Sequence, residues 1–204
     1  MGTLILIRHG QSVWNAENRF TGWVNVPLSE QGITEAKDAG ARLAAEGITV
    51  DIAFTSELQR AINTGRFVLE ALGQGDLTQI EAWQLNERFY GALTGRDKDQ
   101  TREEFGEEQV HIWRRSYDIP PPAGESLADT SRRTIPYFTE TIIPATEAHD
   151  VVMVAAHGNS LRAILKVLDD VSDEEIPGIE IATGVPYVYE VADGRAVDKR
   201  ILTG

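Results

Sequence analysis

The sequence predicts an α/β fold with a mostly parallel sheet, and two short apolar runs are the main evidence for it. Residues 4–7 and 151–156 are unbroken and rich in branched side chains, as in strands buried on both faces. Each run leads to a His-Gly pair, at His9-Gly10 and at His157-Gly158. Ligands bind beyond the carboxyl ends of parallel strands, so we expect both imidazoles to lie at one edge of the sheet.

The first connection is predicted to be an ordered loop followed by a helix. Residues 13–26 show no helical period and contain two tryptophans, which indicates either a packed loop or a functional one. Beyond Pro27, apolar residues recur at helical spacing. Ser29 or Thr34 is expected to cap this helix, and Gly47 is expected to end it.

A second strand and helix place an arginine beside the same sheet edge. Residues 51–54 predict the strand, and the helix that follows extends through Leu72 with Arg60 in its first turn. An isolated arginine is usually a solvated surface residue. At a helix N-terminus next to a strand end, its guanidinium can instead reinforce an anion site, and we therefore include Arg60 among the candidates.

The middle of the chain mixes aromatic and charged residues. Residues 97–115 are expected to form two helices broken near Gly106, and three prolines at 120–122 stiffen the next segment. We interpret residues 96–124 as a lid, with a solvated helical excursion as the alternative. The other predicted elements are a strand at 77–80, a loop at 82–94, a helix at 126–146 kinked by Pro136, a helix through Leu168 capped by Asn159, and a hairpin of residues 185–191 and 196–201.

Composition limits the cellular setting and the partners. At 204 residues the chain suits one domain, residues 1–204. It contains no cysteine, no apolar run long enough to span a membrane and no leader before the first strand, so we expect a cytoplasmic protein without membrane association. The net charge of −13 argues against nucleic acid as a partner. An anionic substrate therefore requires a local basic pocket.

The candidate site combines two histidines with basic residues and one carboxylate. A metal centre is the first rival, but metal sites need three or four convergent ligands, and the many cations here would repel a metal. Imidazole among cations suits phosphoryl transfer, because the nucleophile stays neutral and the cations neutralise the phosphoryl oxygens. The candidates are His9, His157, Glu87, Arg8, Arg60, Arg88, Lys98, Arg114 and Arg115.

Glu87 is the candidate proton donor and acceptor. To protonate a departing oxygen and later take a proton from an acceptor, its carboxyl group must be partly protonated near neutral pH. A single carboxylate among arginines is otherwise an ordinary ion-pair partner. The residues alone leave both interpretations of Glu87 open.

Longer segments carry a resemblance that covers nearly the whole chain. RHGQSVWNAENRFTGW, TSELQRAINT, LNERFYGALTG, EEQVHIWRR and AAHGNSLRA closely resemble segments of the cofactor-dependent phosphoglycerate mutase family, within the histidine phosphatase superfamily. Paired His-Gly motifs mark only the superfamily, whereas FTGW, NERFYG and WRR point to the mutases. The resemblance implies a three-layer α/β/α sandwich with a mostly parallel mixed central sheet.

The resemblance also implies an activity and residue roles. Members interconvert 3-phosphoglycerate and 2-phosphoglycerate in glycolysis and gluconeogenesis, primed by 2,3-bisphosphoglycerate and without a metal. By this likeness His9 is the phosphorylated nucleophile and Glu87 is the acid and base. Arg8, Arg60 and His157 form the phosphate pocket. The residues expected to contact these small phosphorylated three-carbon acids are Ser12, Asn15, Thr21, Gly22, Arg88, Tyr90, Lys98, Arg114, Arg115, Gly158 and Asn159.

Two other functions remain open on the sequence. Many family members carry an insertion between Pro122 and Gly124 and a tail beyond Leu202 that this chain lacks, and both help to cover the site. A shorter cover favours a phosphatase of the same superfamily acting on a small phosphorylated metabolite, because water then reaches the phosphohistidine. A non-catalytic phospholigand-binding protein is the third possibility, which the complete set of candidate residues disfavours. The resemblance also implies a homodimer or homotetramer.

Overall fold

A six-stranded sheet with helices on both faces forms the centre of the protein, as seen in a computed structural model that describes residues 1–203. The strands are β1 (Gly2–Arg8), β2 (Ile52–Thr55), β3 (Gln79–Glu81), β4 (Val151–Ala156), β5 (Pro186–Ala192) and β6 (Arg195–Ile201). The helices are α1 (Val13–Ala16), α2 (Glu30–Ala45), α3 (Gln59–Ala71), α4 (Lys98–Phe105), α5 (Glu107–Arg115), α6 (Leu127–Tyr137), α7 (Ile143–Ala148) and α8 (Gly158–Leu168). This alternation confirms the predicted α/β class.

The strand order places both histidine-bearing strands in the middle of the sheet. The order is β3-β2-β4-β1-β5-β6, and within this described sheet β5 is the strand that runs against its neighbours. Arg8 pairs with Ala156, and the His9 amide donates to the Ala156 carbonyl at 2.9 Å. The carboxyl ends of β1 and β4 therefore coincide, as predicted. The predicted closing hairpin is also present, as β5 and β6.

Alternating side chains on the central strands divide the core into two layers. Leu4 and Leu6 of β1 face one side of the sheet, and Ile5 and Ile7 face the other. The first side packs against α6 and α8, and the second packs against α2 and α3. The helices on the two faces complete the three-layer sandwich that the resemblance implies.

Two helix ends differ in how well the sequence predicted them. Ser29 caps α2, since its side chain accepts from the Gly32 amide at 3.1 Å. The prediction that Asn159 caps α8 is wrong. The helix begins at Gly158 after His157, and Asn159 lies within the first turn. Instead of capping the helix, the Asn159 side-chain amide donates to a carboxylate of the site described below.

The predicted helix at 126–146 follows one continuous path, but its backbone hydrogen-bonding pattern changes along the way. Pro136 lies inside α6 and is followed by a π-helical turn, Phe138–Ile142, before α7 begins. Proline lacks the amide that an α-helical bond needs, so the ladder shifts register at this point. The predicted loop at 13–26 likewise contains one helical turn, α1, that its sequence period does not reveal.

Helices α4 and α5 lie within the predicted lid and do not belong to either main core layer. They are separated at Gly106, as predicted, where the backbone adopts a φ of 86°. Val110 of α5 packs with Phe20 and Leu93 in a small third cluster. No helix among residues 1–203 is both long and apolar enough to cross a bilayer.

The loop that follows β1 passes so close to α2 that only glycine fits at position 32 of that helix. A Cβ at Gly32 would lie 2.0 Å from the Gln11 carbonyl oxygen. Alanine favours a helix by about 1 kcal/mol over glycine, but overpacking against backbone costs about 1–3 kcal/mol. Gly32→Ala is therefore expected to lower the free energy of unfolding, measured by urea denaturation.

Gly75→Ala is the matched control for this substitution. A Cβ at Gly75 would meet its nearest neighbour, the Glu70 side chain, at an ordinary 3.5 Å. The control should be as stable as the wild type or more so. A Gly32→Ala protein that matched the control would contradict the close-packing explanation.

Candidate active site

His9 lies directly after β1 and is 2% exposed. Its Nδ1 is 2.7 Å from the backbone oxygen of Gly10. A carbonyl oxygen can only accept, so the ring proton is on Nδ1 and Nε2 keeps a free lone pair. Burial, together with the charges of Arg60 and Arg8, holds the pKa of His9 well below 6.5. His9 is therefore a neutral imidazole with its nucleophilic nitrogen available.

His157 stands beside His9, with 4.9 Å between the ring centroids. Its Nε2 is 2.7 Å from Ser56 Oγ, and its Nδ1 is buried with no partner among the described residues. Burial and the charge of Arg60 hold the pKa of His157 well below 6.5 as well. The sequence interpretation missed Ser56, although it directly follows β2 at the same edge of the sheet.

Arg8 and Arg60 bring positive charge to the two rings. Arg60, in the first turn of α3 as predicted, donates to the carbonyl of Gly22 at 2.7 Å and to that of Val24 at 3.0 Å. Arg8 donates to the Ile181 carbonyl at 2.7 Å, while its Nε is buried with no partner in the described chain. Burial lowers the pKa of Arg60 to about 10, so it stays charged at neutral pH. A buried guanidinium with a free donor is suited to an anionic ligand.

Glu87 approaches from the loop after β3. Its Oε1 accepts from the Arg88 backbone amide at 2.7 Å and from Asn159 Nδ2 at 2.9 Å. Burial raises the pKa of Glu87, but these hydrogen bonds and the charge of Arg60 outweigh burial, so the pKa lies below its usual value. The acid role requires a Glu87 carboxyl that is partly protonated near neutral pH, and the protein without a ligand does not meet this condition.

His9, Arg8, Arg60 and Glu87 line one cavity of about 130 Å³. Seven of its lining side chains are cationic and two are carboxylates, although the chain as a whole carries −13. The local basic pocket that an anionic substrate requires is thus present. The lining residues are Arg8, His9, Asn15, Arg19, Phe20, Thr21, Gly22, Arg60, Glu87, Tyr90, Lys98, Arg114, Arg115, Gly158, Asn159, Arg162 and Glu180.

The two lid helices supply a second group of cations. Lys98 begins α4, and Arg114 and Arg115 end α5. Lys98 and Arg114 are both half-buried, and this burial lowers the pKa of each. Arg88 is buried behind them and donates to the Trp113 carbonyl at 3.1 Å. The last carbonyls of a helix lack partners within it, so Arg88 fixes the end of α5.

Residues 177–181 run past the cavity and hold three of its arginines through backbone carbonyls. The three carbonyls come from alternate residues, the first in the short 3₁₀ turn Ile176–Gly178 and the others in the segment after it, so one short stretch aligns three guanidinium groups. The pairs are Arg115 with Pro177 at 3.1 Å, Arg162 with Ile179 at 2.8 Å, and Arg8 with Ile181 at 2.7 Å. The exposed Glu180 carboxylate forms ion pairs with Arg115 and Arg162 at the rim.

Four lining residues were not predicted from the sequence: Arg19, Phe20, Arg162 and Glu180. Arg162 had a usable signal, because it lies one helical turn after Gly158 and so shares a face of α8 with it. Arg19, Phe20 and Glu180 lie in segments without helical or strand periodicity, so residue spacing does not indicate which way their side chains point.

Three predicted residues do not line the cavity: Ser12, Arg88 and His157. Ser12 is fully buried and caps α1, where its hydroxyl donates to Asn15 Oδ1 at 2.9 Å. It therefore orients Asn15, which does line the cavity. Arg88 acts in a similar indirect way on α5, and His157 is fully buried next to His9.

A metal ion is the rival occupant of this centre. The donor atoms of His9, Glu87 and His157 lie within 4.8 Å of one another, close enough to share an ion. Arg8 and Arg60 lie beside them and lower the pKa of both imidazoles by their charge. Positive charge that lowers the pKa of the imidazoles also opposes the binding of a divalent cation, so the site is better suited to an anion.

Comparison with known proteins gives the family. The family model described as "Histidine phosphatase superfamily (branch 1)" matches residues 4–201. The chain belongs to the histidine phosphatase superfamily. A relative from Parvibaculum lavamentivorans named 2,3-bisphosphoglycerate-dependent phosphoglycerate mutase is 54% identical over 200 residues. The alignment covers 98% of this chain and 95% of the relative, which leaves no room for a large insertion in that relative.

Solved structures show the same fold at lower identity. The α-ribazole phosphatase from Shigella flexneri has a TM-score of 0.84 at 23% identity, covering 99% of this chain and 96% of its own. The phosphoglycerate mutase from Bacillus anthracis has a TM-score of 0.77 at 23% identity, covering 93% and 88%. These similarities confirm the fold that the superfamily resemblance implies.

The depressed pKa values of His9 and His157 have a consequence for stability. Below 6.5 the unfolded chain binds protons at these rings and the folded protein does not, so acidification favours unfolding. The free energy of unfolding should fall as the pH drops from 6.5 towards 4.5. Below 4.5, loss of the Glu87 carboxylate adds to the fall, because its folded pKa is also depressed.

Urea denaturation of His157→Asn across this pH range checks the assignment. Removing one titrating ring should reduce the slope of stability against pH by up to about 1.4 kcal/mol per pH unit. His149→Asn is the control, since His149 is exposed and lies outside the site. An unchanged slope in His157→Asn would show that the buried ring is not the titrating group.

Proposed function

We propose that this protein is a 2,3-bisphosphoglycerate-dependent phosphoglycerate mutase, an isomerase that interconverts 3-phosphoglycerate and 2-phosphoglycerate in glycolysis and gluconeogenesis. The observation that carries the proposal is the neutral His9, with Nε2 free, beside a cavity with seven cationic side chains. The relative that bears this name is 54% identical and aligns over nearly its whole length.

His9 carries the phosphoryl group in this mechanism. Bound 2,3-bisphosphoglycerate supplies the group that first charges the enzyme. Nε2 of His9 bonds to phosphorus as the bond from phosphorus to the departing oxygen breaks, and the bond to Nε2 breaks when a substrate hydroxyl accepts the group. Arg8 and Arg60 balance the charge of the phosphoryl oxygens, and the unpartnered Nδ1 of the neutral His157 ring donates a hydrogen bond to one of them.

Glu87 moves the proton in each transfer. Its carboxylate takes the proton of the attacking hydroxyl and gives a proton to the departing oxygen. The depressed pKa of the ligand-free carboxyl suits the base role. Negative phosphate charge in the cavity offsets Arg60 and Arg8, and this raises the pKa of Glu87 towards the range that the acid role needs.

The remaining lining residues hold the phosphate and carboxylate of small three-carbon acids. Ser12 and Arg88, which the resemblance names as contacts, serve this function indirectly through Asn15 and through the end of α5. The direct contacts in this proposal are Asn15, Thr21, Gly22, Tyr90, Lys98, Arg114, Arg115, Gly158 and Asn159.

The setting follows from the same proposal. Residues 96–124 act as a lid, which their separate packing on Phe20 supports. The reaction needs no metal, since guanidinium groups and the proton relay of Glu87 supply the charge balance. We propose a cytoplasmic, single-domain enzyme that assembles as a homodimer or homotetramer, as the resemblance implies.

Incubation with 2,3-bisphosphoglycerate followed by intact mass measurement tests the nucleophile. The wild type should gain one acid-labile phosphoryl group, and His9→Ala should gain none. The isomerisation rate of His9→Ala should fall by about a thousandfold or more, because the covalent route is lost. His149→Ala, altered at an exposed ring, should behave as the wild type does.

Three results would count against the mutase. An adduct on His9→Ala, or none on the wild type, would remove the phosphohistidine. Isomerisation that is independent of the primer would remove the proposed cycle. Release of inorganic phosphate faster than isomerisation would identify a phosphatase instead.

A further inference from the structure

Arg133 of α6 is buried against the loop that carries Glu87, and no step above uses it. Its side chain is 7% exposed. Its Nη1 donates to the carbonyls of Gln84 at 2.9 Å and Asn86 at 3.0 Å, and its Nη2 donates to the Glu87 carbonyl at 2.9 Å. One guanidinium thus binds three carbonyls of the four residues that end at Glu87.

Glu125 completes this arrangement from the other side. Its Oε1 accepts from Arg133 Nε at 3.0 Å, and its Oε2 accepts from Nη2 at 2.9 Å. The same Oε2 accepts from the Phe89 amide at 2.9 Å, and the Glu125 amide donates to the Phe89 carbonyl at 2.7 Å. The backbone is therefore held on both sides of Glu87 by one bidentate ion pair.

Trp23 links the pair to the loop that holds Arg60. Its indole nitrogen donates to the Glu87 carbonyl at 2.5 Å, and Arg133 lies over its ring at 5.5 Å. The neighbouring Gly22 carbonyl accepts from Arg60 at 2.7 Å. Glu87 and Arg60 are thus both hydrogen-bonded to one loop, through its adjacent residues Trp23 and Gly22.

We propose that Arg133 and Glu125 are positioning residues that set the Glu87 carboxylate against Asn159 and the transferring oxygen. The proposal rests on the proton-transfer role of Glu87 in the proposed function. Three carbonyls and a carboxylate need the planar fork of arginine, which lysine cannot supply even though it keeps the charge. Loss of the fork should loosen the Glu87 backbone while leaving the substrate-binding cations in place.

Arg133→Lys is the test variant, and Arg132→Lys is its matched control. Arg132 is the adjacent residue of α6, and its side chain is 76% exposed in an ion pair with Asp129. Arg133→Lys should lower kcat for isomerisation by about 10- to 100-fold, part of what a general acid and base contributes, with KM changed less than about twofold. Arg132→Lys should retain wild-type kcat and KM.

A double-variant cycle separates positioning from general loss of structure. If Arg133 acts through Glu87, then Arg133→Lys should cost nothing more once Glu87→Gln has removed the proton carrier. An equal further loss of kcat in the Glu87→Gln protein would overturn the proposal, because Arg133 would then act elsewhere. Glu125→Gln should reproduce the Arg133→Lys pattern, and a wild-type kcat for Glu125→Gln would also overturn it.

Carboxyl carbon-13 NMR of the ligand-free protein gives a readout that does not depend on activity. The Glu87 signal, identified by its absence in Glu87→Gln, should titrate about one pH unit higher in Arg133→Lys, because the carboxylate loses hydrogen bonds from Asn159 and the Arg88 amide. An unchanged titration would overturn the positioning role. Failure of the mutase assay in the wild type would refute the proposed function separately, and this titration would still decide the role of Arg133.

Discussion

The hydrogen bond from His9 Nδ1 to the Gly10 carbonyl is the interaction on which the site depends. It fixes the tautomer, and so decides which nitrogen is free to react. The carbonyl is held in turn, because the Gly10 amide donates to Thr64 at 3.1 Å and its backbone packs against Gly32 without room for a Cβ. The pairing of β1 with β4 then sets His157 beside the same ring.

The cations around His9 are held in a way that leaves their charge available. Arg60 and Arg8 are bound through backbone carbonyls, which satisfy donors without cancelling charge. At the rim the arrangement changes, because Arg115 forms an ion pair with the exposed Glu180. Cationic side chains thus outnumber carboxylates by seven to two around the cavity where phosphoryl transfer is proposed. This contrast explains how a chain of net charge −13 offers a site for an anion.

The sequence predicted those features that depend on local pattern. The runs before His9 and His157 identify buried parallel strands, and their shared edge follows from strand direction alone. Asn159 was misassigned because a cap-type residue was recruited by a carboxylate far away in the chain. The carbonyls of residues 177–181 could not be found, since backbone groups have no sequence signature. The sequence left the protonation state of Glu87 open, because the direction of its pKa shift depends on a balance between burial and several partners.

Nitrogen-15 NMR of the histidine side chains, before and after 2,3-bisphosphoglycerate is added, tests most directly whether His9 reacts through Nε2. In the free protein the His9 ring should carry its proton on Nδ1, because the Gly10 carbonyl can only accept. After addition, phosphorus should couple to Nε2 of the same ring. A proton found on Nε2 in the free protein, or phosphorus bonded to Nδ1, would contradict this assignment of the nucleophile.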